Sequence, residues 1–87
     1  MVYLEQAGNA ERNNDFSRKL GVRLGVLREK GKLSQERVAQ LAGISTYTYQ
    51  KFEKGESKPG TPMNPQLFTL LALADALDVS LEELLRF

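Results

Sequence analysis

The sequence contains no cysteine and no histidine. The first absence removes disulfides, thiolate metal sites and a thiol nucleophile. The second removes the commonest metal ligand and the commonest general base. An enzyme would have to work with Asp, Glu, Lys, Ser or Tyr, and no paired constellation of these stands out. The expectation is a protein without catalytic centre, metal or cofactor. No apolar run approaches the roughly 18 residues that a membrane span requires. The opening Met1-Val2-Tyr3-Leu4-Glu5 lacks the basic and apolar regions of a signal peptide. The expected setting is therefore the cytoplasm, with no membrane partner.

What is present is 87 residues, 41% of them hydrophobic. That suits one small globular domain and leaves no room for two. The net charge of +1 hides an uneven distribution. Residues 16–58 carry ten cations, from Arg18 to Lys58, against four anions, Glu29, Glu36, Glu53 and Glu56. The flanking segments are both acidic. A basic middle third is either a footprint for a polyanion or an ordinary solvated surface.

Residues 1–14 show no sustained periodicity and read as a mobile arm. With Asn14 or Asp15 as cap, Phe16, Leu20, Leu24 and Leu27 then form one stripe of an amphipathic helix ending near Lys30-Gly31. Ser34 caps a second helix, with Val38, Leu41 and Ala42 facing inward, and Gly43 ends it. Ser45 caps a third, whose inner stripe is Tyr49 and Phe52. The Pro/Gly-rich stretch 59–65 excludes a helix interior, and Pro65 suits the first residue of a fourth helix. Leu67, Leu70, Leu71, Ala74 and Leu77 mark the apolar face of that helix. Ser80 and Glu83 then form a capping box for a fifth. There is no strand signal. The predicted class is all-α, a compact five-helix domain over 15–87.

Residues 34–54 are two short helices joined by a tight turn, the helix-turn-helix arrangement. Ala39 lets the helices cross closely, Gly43 turns the chain and Ile44 plugs the corner. The outward side chains of the third helix are Thr46, Tyr47, Gln50, Lys51 and Lys54. A helix fits the major groove of B-DNA, and such side chains can meet base edges and phosphates.

The sequence here resembles the lambda-repressor-like, Cro-like helix-turn-helix regulators, the Xre family. The resemblance is carried by Leu20-Gly21-x-Arg23-Leu24-x-x-Leu27-Arg28 and by Leu33-Ser34-Gln35-Glu36-x-Val38-Ala39-x-x-Ala42-Gly43-Ile44-Ser45. It continues in Tyr49-x-x-Phe52-Glu53-x-Gly55, Leu70-x-x-Leu73-Ala74-x-x-Leu77 and Val79-Ser80-Leu81-Glu82-Glu83-Leu84. It implies that Gln35 bonds a phosphate from the second helix N-terminus, with Gln40 doing the same at the far end. It places Ser45, Thr46, Tyr47, Gln50 and Lys51 where bases are read or flanking phosphates gripped. Lys54 on the outer face of the third helix and Lys58 of the basic segment are further candidate DNA contacts. Arg28 and Glu53 match a partly buried ion pair joining the first and third helices, and Arg28 has a phosphate contact open to it. Two features depart from the pattern. Residues 60–64 look like an insertion, and Tyr47 and Tyr49 stand where smaller or aliphatic residues are usual. Tyr49 is expected in the core with its hydroxyl at the edge.

The expected function is a sequence-specific double-stranded DNA-binding transcriptional regulator, repressor-like and prokaryotic or phage. It would bind a palindromic operator as a homodimer and associate with the nucleoid when bound. A restriction–modification controller and an antitoxin are alternatives on the same fold, so a toxin or polymerase is a further candidate partner. The rival from another class is a protein-interaction module that has lost DNA binding.

Overall fold

A computed structural model describes residues 2–87, those from 2 to 8 as backbone only. The elements run α1 (Val2–Lys30), α2 (Gln35–Ala42), α3 (Thr46–Lys54), β1 (Glu56–Lys58), β2 (Thr61–Pro62), α4 (Leu67–Ala76) and α5 (Leu81–Leu84). Five helices and a two-stranded antiparallel hairpin thus make up the described residues. No helix among them is long and apolar enough to cross a membrane.

The helix expected to open at Asn14 or Asp15 instead begins at Val2 and is 29 residues long. No proline interrupts this stretch, and Glu5, Gln6, Ala7, Ala10, Glu11 and Arg12 are strong helix formers. Asp15 does not cap. Its carboxylate lies one turn behind Arg18 (3.3 Å) and Lys19 (3.1 Å) and pairs with both. At 1.5 Å per residue α1 is about 43 Å long, which accounts for the 44 Å longest dimension of the molecule.

The core is built where the sequence stripes converge. Leu20, Leu24 and Leu27 of α1 meet Val38 and Ala39 of α2, Tyr49 and Phe52 of α3, Leu73, Ala74 and Leu77 from the α4 segment, and Leu84 of α5. Phe16, expected in the α1 stripe, is half outside; its ring meets Phe87 edge-on at 4.9 Å. Leu41, Leu67 and Leu71, expected to face inward, are exposed. Periodicity marks an apolar side of a helix but not how much of it a small domain can cover. Pro65 is not the first residue of α4. Gln66 after it stays extended (φ −68°, ψ 156°), and the helix starts at Leu67.

The hairpin was not legible as strand. Segments of three and two residues show no alternation, and prolines flank or enter them. Pro59 presets one backbone angle and Gly60 takes φ +81°, the combination a type II turn requires. The hairpin base is clamped. Met63 N–H donates to the Gly55 carbonyl (3.0 Å), and the Met63 carbonyl accepts from buried Ser17 Oγ (2.6 Å) on α1. That clamp holds β1 beside the C-terminal end of α3.

Candidate nucleic-acid interface

Local chemistry fixes the two helices. Ser34 Oγ accepts the Arg37 N–H at 3.0 Å and starts α2. Gly43 ends α2 at φ +75°, a left-handed conformation open to glycine without strain. Its N–H reaches the Gln40 carbonyl (3.2 Å), and the Ile44 N–H reaches that of Ala39 (3.0 Å). Ser45 then caps α3, accepting the Thr48 N–H at 3.0 Å and donating to Thr48 Oγ1 at 2.9 Å. Its hydroxyl is thus engaged within the protein in both directions. Val38, Ala39, Tyr49 and Phe52 are buried, which anchors the pair and turns the opposite side of α3 outward.

That outer side carries Tyr47, 68% exposed, with exposed Gln50 and Lys54 and half-buried Thr46 and Lys51. Lys51 Nζ sits 4.3 Å from the centre of the Tyr47 ring, a cation–π contact that holds the lysine over the aromatic face. A cleft of about 430 Å³ lies between α3 and β1 and brings Tyr47, Gln50, Lys51, Lys54 and Lys58 together with Glu56, Ser57 and Pro59. Three cations, two on α3 and one at the end of β1, therefore share one concavity. Ser45, Thr46 and Gln40 lie outside it. Gln40 is exposed on α2, its Oε1 accepting from Arg37 Nη1 at 2.8 Å.

Behind α3 runs a polar chain. Arg28 grips the Glu53 carboxylate with Nε (2.6 Å) and Nη2 (3.3 Å), while its Nη1 bonds the Leu33 carbonyl (3.0 Å). Gln35 Nε2 donates to Glu53 Oε1 (3.0 Å), and Gln50 Nε2 donates to Gln35 Oε1 (3.2 Å). Burial pushes the Glu53 carboxyl up, but the hydrogen bonds it accepts, those of Arg28 foremost, outweigh this and hold it below its ordinary value. The same bond to Glu53 raises Arg28. The Tyr49 hydroxyl, expected at the edge, is instead fully buried beside this pair and has no hydrogen-bond partner. Burial, with the Glu53 charge nearby, drives it above the ordinary phenol value.

Sequence reasoning did not single out two residues of this region. Arg37 is an exposed cation on α2 that orients Gln40; its charge was visible, its partner was not. Phe68, 79% exposed, widens the bare apolar face of α4. Its signal is a large aromatic off the main α4 stripe.

Residues 19–87 match the family model described as a helix-turn-helix domain. The chain belongs to that family. It is a DNA-binding transcriptional regulator built on the helix-turn-helix fold. Among solved structures it is similar to the restriction-modification controller protein C.AhdI from Aeromonas hydrophila, with 37% identity and a TM-score of 0.67. That likeness covers 77% of this chain and 92% of the other. No curated protein matches. The N-terminal half of α1 precedes the residues of the family match.

Proposed function

We propose that this regulator binds a two-fold symmetric operator as a homodimer, with α3 in the major groove of each half-site. The cleft that gathers Lys51, Lys54 and Lys58 beside the exposed Tyr47 and Gln50 carries this reading. A groove wall of phosphates and base edges is the partner that this mixture of cations, amide and aromatic fits. Gln35, Gln40, Ser45, Thr46, Tyr47, Gln50, Lys51, Lys54 and Lys58 are the proposed DNA-facing set; Arg28 is left out, its guanidinium being engaged by Glu53 and the Leu33 carbonyl behind α3. Gln35 retains its second Nε2 hydrogen and its place at the α2 N-terminus for a phosphate.

The second copy is assigned to α4. Leu67 (59% exposed), Phe68 and Leu71 form an exposed apolar face on α4, which follows the hairpin after residues 63–66. A monomer gains nothing from holding such a surface in water. A dimer closed through it would present two α3 helices to half-sites about 34 Å apart.

The likeness to a restriction-modification controller favours that role over the antitoxin and the phage repressor. The protein would then act in the cytoplasm, on the nucleoid when operator-bound, on promoters of a restriction–modification locus. Titration of the DNA upstream of its own gene, with the stoichiometry read by sedimentation, tests this. Two protomers per specific duplex are expected. One protomer per duplex, or equal affinity for unrelated DNA, contradicts the proposal.

A further inference from the structure

We propose that Gln35 is a positioning residue for Gln50, and that the orientation it imposes makes Gln50 select adenine over guanine. This rests on the proposal that α3 enters the major groove.

An ionised carboxylate only accepts hydrogen bonds. Arg28 keeps Glu53 ionised, so the amide of Gln35 must turn its Nε2 toward Glu53 Oε1, as it does at 3.0 Å. Gln35 Oε1 then points the other way, and it too only accepts. Gln50 must therefore offer an N–H to it, and the 3.2 Å bond is the result. The polarity of a half-buried ion pair is passed through two side chains to the outer face of α3.

Gln50 is left with its Oε1 and one N–H. Adenine shows an acceptor, N7, and a donor, the N6 amino group, in the major groove; guanine shows two acceptors, N7 and O6. The free groups of the tethered amide complement adenine. A free glutamine has two N–H groups and can turn both toward guanine. The bond to Gln35 withdraws one of them. It also removes rotamer freedom before DNA arrives, which would otherwise be lost on binding. Gln35 thus acts on specificity without touching the base.

The test is selection of bound duplexes from a random pool, using the full chain and its Gln35→Met, Gln50→Ala and double variants, with Gln35→Ala as a second deletion of the amide should Gln35→Met unfold. Base preference is compared within each variant, so a uniform loss of affinity cancels. The wild type is expected to enrich adenine at one position of each half-site. Gln50→Ala should erase the preference there. Gln35→Met should reduce the adenine-over-guanine ratio at that same position by about tenfold, the worth of one good base contact, with the remaining positions unchanged. The double variant should be no worse there than Gln50→Ala. A Gln35 variant that binds more weakly but keeps its adenine preference overturns the inference while leaving operator binding intact. So does a Gln50-sensitive position occupied by another base. A wild type that enriches no sequence overturns this inference and the operator reading together.

Discussion

Arg28 holds Glu53 with two nitrogens, at 2.6 and 3.3 Å, and so ties the second half of α1 to the last turn of α3. Both side chains are largely shielded, at 17% and 13% exposure. Removing one partner leaves the other charge half-buried and alone, which is worse than never having had the pair. Arg28→Met is expected to destabilise the fold by roughly 3 kcal/mol, read as a fall in denaturant midpoint at constant slope. The pH dependence has a definite sign. The Glu53 carboxyl is held below its ordinary value of 4.5, so the pair's contribution is present above that pH and is lost as pH falls through the lower folded value. Glu53→Gln should flatten the acid limb of a stability curve; an unaltered limb would show that the pair is not its source.

Tyr49 presents the opposite case. Its hydroxyl is buried without a partner, an arrangement that costs free energy. Tyr49→Phe keeps the ring and removes the orphan group. We expect a gain of about 1 kcal/mol in the denaturant midpoint. The phenol is raised above its ordinary value of 10.0. Stability therefore holds below that value and falls as pH rises past it, because the unfolded chain ionises first. The phenylalanine variant should lose part of this alkaline decline. A destabilised variant would mean that the hydroxyl has a partner after all.

Gly21 marks where α1 lies directly on the end of α3. A Cβ there would collide with the carbonyl oxygen of Glu53 and come within 2.8 Å of that of Phe52. Backbone cannot step aside as a flexible side chain does. Gly21→Ala is expected to cost about 1–3 kcal/mol despite the higher helix propensity of alanine. A neutral or stabilising result, measured by thermal melting, would contradict the close approach.

Much of this architecture is legible because its determinants are local. Ser34, Ser45 and Ser80 each cap the helix they precede, through a backbone N–H three residues on. Gly43 and Gly55 sit at positive φ where the sequence ends α2 and α3. The Arg28–Glu53 pair follows from the family resemblance rather than from spacing. What was not legible depends on relations between elements. The α1 start at Val2 hid behind a stretch with weak periodicity. The hairpin base is held in part by Ser17 on α1, 46 residues before the Met63 carbonyl it bonds. Leu41, Leu67 and Leu71 look like core because a stripe carries no information on its neighbours. The Gln35–Gln50 bond joins residues 15 apart on different helices, and no period predicts that.

The exposed face of α4 gives a direct test of assembly. Phe68→Asp places a charge in the proposed interface while leaving the core untouched, since Phe68 is 79% exposed in the single chain. The variant should melt as the wild-type monomer would, sediment as a monomer at concentrations where the wild type is dimeric, and bind the operator more weakly. A Phe68→Asp protein that remains dimeric would remove α4 from the interface.

Recognition of a particular DNA sequence through α3 and the adjoining hairpin is open to direct measurement. Selection from a random duplex pool, with affinity for the winning sequence followed across salt, tests it most directly. The expected result is an enriched two-fold symmetric site whose log affinity falls linearly with log salt, by about 0.9 per phosphate contact, and a slope shallower by about 1 per protomer in Lys58→Ala. Binding without enrichment that vanishes at physiological salt would contradict it.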